Sequence, residues 1–262
     1  MANGKATRMT ALPGATLTMK ESHLMVGGNP NLDIHLNCPT YLIEHPQGLV
    51  LFDTGCNPQV AVDPHGYWGK LADYFRVSYS KDLVVDAQIR ALGHKIEDVK
   101  YVVVSHLHLD HAGGLALFPN AEFFIMRGEI PYAYWPDWQS RGGFILGDIM
   151  PTRRFKWREL SGDTDLLGDG SLMMLKTAGH TPGECSLMVN LPHRRIVLTG
   201  DTVHIRHQLV TLAPMDVDWD KVAASDSIRR LKNMQDSGDV RLIISHDPED
   251  WAEFAHSPTP IE

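Results

Sequence analysis

Apolar residues fall in short runs along the chain, and the runs occur in two similar sets. Tyr41 to Asp53 reads Tyr-Leu-Ile-Glu-His-Pro-Gln-Gly-Leu-Val-Leu-Phe-Asp: an apolar stretch, a turn containing Pro, a second apolar stretch and a carboxylate at the end. Ser186 to Asp201 follows the same plan as Ser-Leu-Met-Val-Asn-Leu-Pro-His-Arg-Arg-Ile-Val-Leu-Thr-Gly-Asp. Apolar runs of this length bounded by turn residues predict strands, so each segment reads as a hairpin that delivers an Asp. A second echo follows. Gln-Ile-Arg-Ala-Leu from Gln88 leads into Asp-Val-Lys-Tyr-Val-Val-Val-Ser-His ending at His106, and Ser-Ile-Arg-Arg-Leu from Ser227 leads into Asp-Val-Arg-Leu-Ile-Ile-Ser-His ending at His246. Each predicts an amphipathic helix and then a buried strand whose last step is Ser-His. Two such units predict two β-rich halves packed together with helices outside, and a site along their shared edge. We read residues 1–262 as a single domain, with an N-terminal half over about 15–150 and a C-terminal half over about 151–262.

Between the halves, Glu122 to Met126 predicts a strand, and Arg127 to Trp138 a short helix with an irregular loop around Pro131 and Pro136. Pro64 to Phe75 carries Tyr67, Trp68, Leu71, Tyr74 and Phe75 at helical spacing. Such a stripe usually faces a core, and a helical flap is the alternative.

Composition narrows the class. A chain of 262 residues, 43% hydrophobic and 21% charged, can bury a core that needs no disulfide or structural metal to hold it, so a bound metal would serve chemistry. Cys38, Cys56 and Cys185 are widely spaced and odd in number, with no C-x-x-C, against a disulfide framework or zinc ribbon. Cys56 and Cys185 read as packing residues. A formal net charge of −8 without a basic run argues against nucleic-acid and anionic-membrane partners. Met1 to Leu17 lacks the unbroken apolar stretch of an export signal, and no run is long enough to span a bilayer, so a cytoplasmic enzyme is expected.

The densest chemical signal is His106-Leu107-His108-Leu109-Asp110-His111, directly after the apolar run Tyr101 to Val104. In an extended stretch His106 and His108 would point to one side, and Gly113 and Gly114 would let the chain turn so that Asp110 and His111 aim at a second ion. Desolvating three imidazoles and a carboxylate together is costly unless something pairs with them, which points to a divalent metal. Thr177-Ala178-Gly179-His180-Thr181-Pro182-Gly183 places a His in a turn flanked by Gly. Asp201 and His246 each close a predicted strand. Taken singly, His180 or His246 reads equally well as a ligand or as a buried structural residue.

Together these motifs resemble the metallo-β-lactamase superfamily: H-x-H-x-D-H, then G-H-T-P-G, then G-D and S-H in order, from about Tyr41 to His246. The resemblance implies a mixed α/β (α+β) four-layer αββα sandwich built from two similar halves, with a dinuclear centre between its sheets. It implies His106, His108 and His180 on one ion, Asp110, His111 and His246 on the other, and Asp201 bridging. It also places Asp53 beside the metal-binding imidazoles, where a carboxylate fixes tautomer and orientation; a turn-capping Asp is the plainer reading. The ions implied are two divalent metals, Zn(II) first, with Fe, Co or Mn as alternatives.

Within the superfamily, Ser-His-Leu-His-Leu-Asp-His-Ala-Gly-Gly is most similar to the N-acyl-homoserine lactonases of quorum quenching. This implies hydrolytic opening of a lactone ring by a water activated between the ions, with Asp110 passing the proton to the departing alcohol. Where those enzymes commonly carry a Tyr, three residues after the bridging Asp, this chain has His204, which could donate to the substrate carbonyl in its place. The acyl chain would need an apolar groove, for which the Pro64–Phe75 aromatics and His23-Leu24-Met25-Val26 are candidates. The expected partner is a small lactone taken by a monomer or homodimer. Alternatives within the fold are hydrolysis of another lactone or a glyoxalase II-like thioesterase, and outside hydrolysis a persulfide dioxygenase-like iron oxidoreductase. No G-x-S-x-G elbow supports a serine hydrolase.

Overall fold

The protein is described by a computed structural model over residues 6–261, so residues 1–5 and 262 of the expected domain lie outside the described residues. In chain order the strands are β1 (Arg8–Leu12), β2 (Thr16–Lys20), β3 (Asp33–Asn37), β4 (Thr40–Glu44), β5 (Leu49–Phe52), β6 (Val99–Val103), β7 (Glu122–Met126), β8 (Lys156–Leu160), β9 (Thr164–Asp165), β10 (Leu172–Lys176), β11 (Cys185–Asn190), β12 (Arg195–Leu198) and β13 (Arg241–Ile243). One sheet has the order β1-β4-β5-β6-β7-β8 and a second β13-β12-β11-β10-β9, while β2 and β3 pair apart from both. The two repeated hairpins are the antiparallel pairs β4–β5 and β11–β12, and each is followed by a parallel partner, β6 and β13.

The apolar runs are continuous because these strands are covered on both faces. Val50 and Phe52 of β5, Phe124 and Met126 of β7, and Ile196 and Leu198 of β12 meet in one buried core between the sheets. The alternate residues turn outward. Leu49, Leu51, Phe123 and Ile125 pack with Val85 and Ile89 of the helix Val85–Ala91. Val197 and Leu242 pack with Ile228 and Leu231 of the helix Lys221–Asp236. The layers are therefore helix, sheet, sheet, helix. The long helix opens on Asp220, whose carboxylate accepts from the Val222 and Ala223 amides, a local N-cap. No helix among the described residues is long and apolar enough to cross a membrane.

A third apolar cluster gathers the Pro64–Phe75 stripe against the hairpin β2–β3, which had no counterpart in the sequence reading. Leu17 and Met19 of β2 and Leu36 of β3 pack with Trp68, Ala72 and Leu109. Pro64 to Phe75 forms two short helices, Pro64–Trp68 and Leu71–Phe75, with Trp68 and Ala72 buried and Tyr74 52% exposed. The stripe is thus core on one side and open on the other. Two local expectations need correction. β6 ends at Val103, so His106 and His108 sit on a loop rather than an extended strand, although their ring centroids still lie 4.4 Å apart. Gly113 is required by packing rather than by turn freedom, since a Cβ there would lie 2.1 Å from the Asn57 amide nitrogen.

Beneath the short helices lies a buried carboxylate with a measurable signature. The Tyr67 hydroxyl and the Asn57 amide both donate to Asp148 Oδ1 at 2.7 Å, while Oδ2 is buried without a partner. Burial pushes the Asp148 carboxyl up to about 7 against those two donors. A folded-state value above the unfolded one means that the contribution to stability is complete below about pH 4 and is lost as pH rises through about 7. The stability of the wild type relative to Asp148→Asn should therefore fall between pH 4 and 7, by up to about 4 kcal/mol, in paired denaturation curves. A difference that does not change with pH would show that Asp148 is ionised throughout.

Candidate metal centre

Four loops converge at one edge of the sandwich. The segment after β6 carries His106, His108, Asp110 and His111; the loop after β10 carries His180; the turn after β12 carries Asp201; and His246 follows β13. Two glycines set the approach. Gly179 has φ +149°, and a Cβ on it would lie 2.3 Å from the backbone of Ala224 in the long helix, so only Gly lets the His180 turn settle there. Gly200, with φ +55°, turns the chain so that Asp201 follows directly.

Asp201 is the pivot of the cluster. Its Oδ2 lies 3.7 Å from His106 Nε2 and 3.5 Å from His180 Nε2, and His180 Nε2 is 2.9 Å from His108 Nδ1. Its Oδ1 lies 3.1 Å from His111 Nε2 and 3.0 Å from His246 Nε2. Asp110 Oδ2 completes this second set, 3.6 Å from His111 Nε2 and 3.7 Å from His246 Nε2. One carboxylate thus offers one oxygen to each of two donor sets.

Neighbouring groups hold the imidazoles in register. Asp53 has φ 59°, a left-handed conformation that Asp tolerates, and its carboxylate accepts from the Ser105 amide at 2.7 Å, the Ser105 hydroxyl at 2.8 Å and His111 Nδ1 at 2.9 Å. Ser105 Oγ in turn lies 3.0 Å from His106 Nδ1 and can accept its proton. His180 Nδ1 donates to Asp218 Oδ1 at 2.8 Å and His246 Nδ1 to the Asn37 carbonyl at 2.6 Å. Protons on these outer nitrogens leave the Nε2 lone pairs of His106, His111, His180 and His246 facing inward.

The inward atoms fit divalent cations. His106 Nε2, His111 Nε2 and Asp201 Oδ1 are buried with no hydrogen-bond partner, a costly state that an ion would relieve. Charge points the same way. Burial opposes a proton on His111 and on His246, yet the groups facing them together outweigh it, Asp201 foremost, with Asp110 and Asp53 at His111 and Cys38 at His246, and lift both well above the ordinary imidazole range. For His106 and His108 burial prevails and drives them well below it, leaving neutral, ligating imidazoles. Burial would also raise Asp201, but the facing His111, His204 and His246 hold it well below the usual carboxylate range. The pocket calls for positive charge, and nitrogen with carboxylate oxygen suits zinc and its neighbours.

His204 is buried against this centre: its Nε2 is 3.1 Å from Asp201 Oδ2 and its Nδ1 has no partner. Burial lowers its pKa despite the carboxylate. Above the cluster opens a cavity of about 680 Å³, walled by Leu17, Met19, Leu24, Leu36, Leu71 and Phe75, with Asp110, Asp201 and His204 at its floor. His23 and Leu24 reach it, whereas Met25 is buried elsewhere in the cluster behind β2 and Val26 is exposed.

Sequence reasoning missed three carboxylates. Glu184 accepts from the Asp201 amide at 2.9 Å and brings Oε2 to 3.0 Å from His106 Nδ1. Glu129 accepts from the Leu107 and Gly183 amides, joining the loop after β6 to the His180 turn. Asp218 orients His180. Glu184 had a local signal, an acidic residue directly after G-H-T-P-G inside an apolar run, but Glu129 and Asp218 had none, because their partners are distant in sequence.

Residues 34–246 match the family described as the metallo-beta-lactamase superfamily. The chain belongs to that superfamily. Among its relatives, the N-acyl homoserine lactonase AttM of Rhizobium radiobacter is 36% identical over 256 residues, covering 96% of this chain and 97% of its own. An N-acyl homoserine lactonase of Bacillus cereus is 30% identical over 82% of this chain and 83% of its own. In shape, this metallo-beta-lactamase chain superposes on an N-acyl homoserine lactone hydrolase solved with N-hexanoyl-L-homoserine at its catalytic metal centre, with a TM-score of 0.86 over 98% of this chain and 100% of the other, at 22% identity. The dizinc quorum-quenching lactonase AidC superposes with a TM-score of 0.69 at 17% identity, over 99% and 97% of the two chains. At these identities the superpositions establish the shared fold.

Proposed function

We propose that this protein is a dinuclear metal-dependent hydrolase that opens the ring of N-acyl-homoserine lactones, with zinc as the resident ion. The observation that carries the reading is Asp201, with one oxygen turned to each of two donor sets at the floor of an apolar cavity. The relatives named as N-acyl homoserine lactonases, which align over nearly the whole chain, support the substrate class.

His106, His108 and His180 would hold one ion, Asp110, His111 and His246 the other, and Asp201 both. Bound there, the ions supply a Lewis acid for the ring carbonyl and bring a water toward its hydroxide form near neutral pH. The chain's own groups do the rest. Asp110, at the cavity floor, takes the proton of the attacking water and returns it to the ring oxygen as the acyl–oxygen bond breaks, leaving an acid and an alcohol. His204 donates to the substrate oxygen from the same floor, and Asp53, Ser105 and Asp218 keep the imidazoles oriented. The aliphatic and aromatic walls receive the acyl chain. The substrate is a small molecule met in the cytoplasm by a monomer or homodimer, since the net charge of −8 disfavours polyanionic partners.

The test is metal content per chain together with proton release from a panel of lactones and thioesters. Two ions and lactone turnover are expected; one iron per chain with oxygen uptake and no lactone opening would overturn the reading. Replacing His204 with Ala should leave metal content unchanged and lower lactone kcat/KM by about 10²-fold, the scale of losing one placed donor. An unchanged kcat/KM would remove His204 from the reaction.

A further inference from the structure

Cys38 stands in the turn between β3 and β4, where the chemistry assigned above makes no use of it. Its backbone is held firmly: the Cys38 amide donates to the Ala15 carbonyl at 2.9 Å, and Gly14 lies so close that a Cβ there would sit 1.9 Å from the Cys38 carbonyl oxygen. The preceding carbonyl, that of Asn37, receives the His246 Nδ1 proton. One turn therefore orients His246 and at the same time fixes a thiol beside it.

The thiol is buried at the edge of the apolar cluster behind β2, with a carboxylate in reach. Cys38 Sγ lies 3.6 Å from Asp110 Oδ2 and also meets the His246 side chain; its further contacts are the Cys56 thiol and, at a long 3.9 Å, the Leu36 carbonyl. Donor atoms of Cys38, Asp110 and His246 all lie within 4.8 Å of one another. Bonds of about 2.0–2.3 Å around one zinc put neighbouring tetrahedral ligands about 3.3–3.7 Å apart. The separations of Asp110 Oδ2 from Cys38 Sγ, His111 Nε2 and His246 Nε2 are 3.6, 3.6 and 3.7 Å. His111 Nε2 and Asp201 Oδ1, 3.1 Å apart and buried with no hydrogen-bond partner, form a second group that shares His246 with this one. The separations around Asp110 are those of neighbouring ligands on one ion, and His246 joins the two groups.

We propose that Cys38 is a thiolate ligand of the second ion, joining Asp110, His111, His246 and Asp201. The inference rests on the dinuclear reading above and extends it to a sulfur donor that this reading leaves out. As the sulfur–metal bond forms, the S–H bond breaks and its proton leaves to solvent, one per site filled. A soft sulfur among nitrogen and oxygen donors turns the site toward Zn(II) and Co(II) and away from Mn(II).

The test loads the full chain with Co(II) and compares it with Cys38→Ser, Cys38→Ala and Cys56→Ser. The wild type should take up two ions and show a thiolate-to-cobalt charge-transfer band in the near ultraviolet. Both Cys38 variants should lose the band, with the Kd of the weaker ion raised on the order of tenfold or more, while Cys56→Ser keeps it. Two ions bound without a band, or a band and Kd unchanged in both Cys38 variants, would overturn the thiolate assignment while leaving the dinuclear centre intact. A band lost only in Cys56→Ser would transfer the sulfur to Cys56 and overturn it as well. A wild type that holds fewer than two ions would overturn the centre itself and the proposed ligand with it.

Discussion

Asp201→Ala is expected to leave the folded chain without its pair of ions and to lower lactone kcat/KM by more than the roughly 10³-fold that loss of a single electrostatic group costs. The reason is the position of the carboxylate between two sets of donors. One oxygen serves the His106 and His180 side and the other the His111 and His246 side, so one truncation weakens both sites together. The same change removes the foremost of the groups that lift His111 and His246 above their ordinary range, so the pKa of each should fall in the metal-free protein. Elemental analysis after dialysis, NMR titration of the imidazoles and a circular dichroism spectrum on one sample separate loss of metal from loss of fold. Retention of two ions at wild-type affinity would show that Asp201 does not bridge.

Asp53→Asn should weaken metal binding by about 10- to 100-fold with little change in the backbone. Asn tolerates the left-handed conformation at this position nearly as well as Asp, so strain is not the cause. The cause is a count of donors and acceptors. Three protons converge on the Asp53 carboxylate, from the Ser105 amide on Oδ1 and from the Ser105 hydroxyl and His111 Nδ1 on Oδ2. An amide keeps one acceptor and turns a donor toward the other side. In either orientation a proton meets a proton: His111 is driven toward the tautomer that carries hydrogen on Nε2, or the Ser105 amide loses its partner. Because Ser105 Oγ also faces His106 Nδ1, the disturbance reaches an imidazole of each donor set. Competition with a chelator reads the affinity, and nitrogen chemical shifts of His106 and His111 read the tautomer. Unchanged affinity with wild-type tautomers would reduce Asp53 to a turn residue.

The repeated hairpins and Ser-His endings were readable because their information is local. Continuous apolar runs between turn residues follow from strands covered on both faces, and the order H-x-H-x-D-H, G-H-T-P-G, G-D and S-H lies open in the chain. That is enough to place the fold class and the side chains that meet at its edge. The extended reading of His106 to His108 failed because the strand ends three residues earlier, yet the two rings meet regardless, since the loop is pinned by Glu129 and by the Gly113 packing contact.

Sequence alone therefore determined the fold class and the motif residues that gather at its edge, because both are encoded in runs and motifs a few residues long. The folded chain decided which nitrogen of each imidazole faces inward, that Asp201 divides its oxygens between two sets, and that His204 stands against Asp201. It also decided that Glu184, Glu129, Asp218 and Cys38 belong to the surroundings of the centre. Apart from the local contact of His204 with Asp201, these depend on atoms brought together from separate parts of the chain, 38 residues apart for His180 and Asp218 and 72 for Cys38 and Asp110. Such contacts have no periodicity of their own, and only the packing of one sheet against the other creates them.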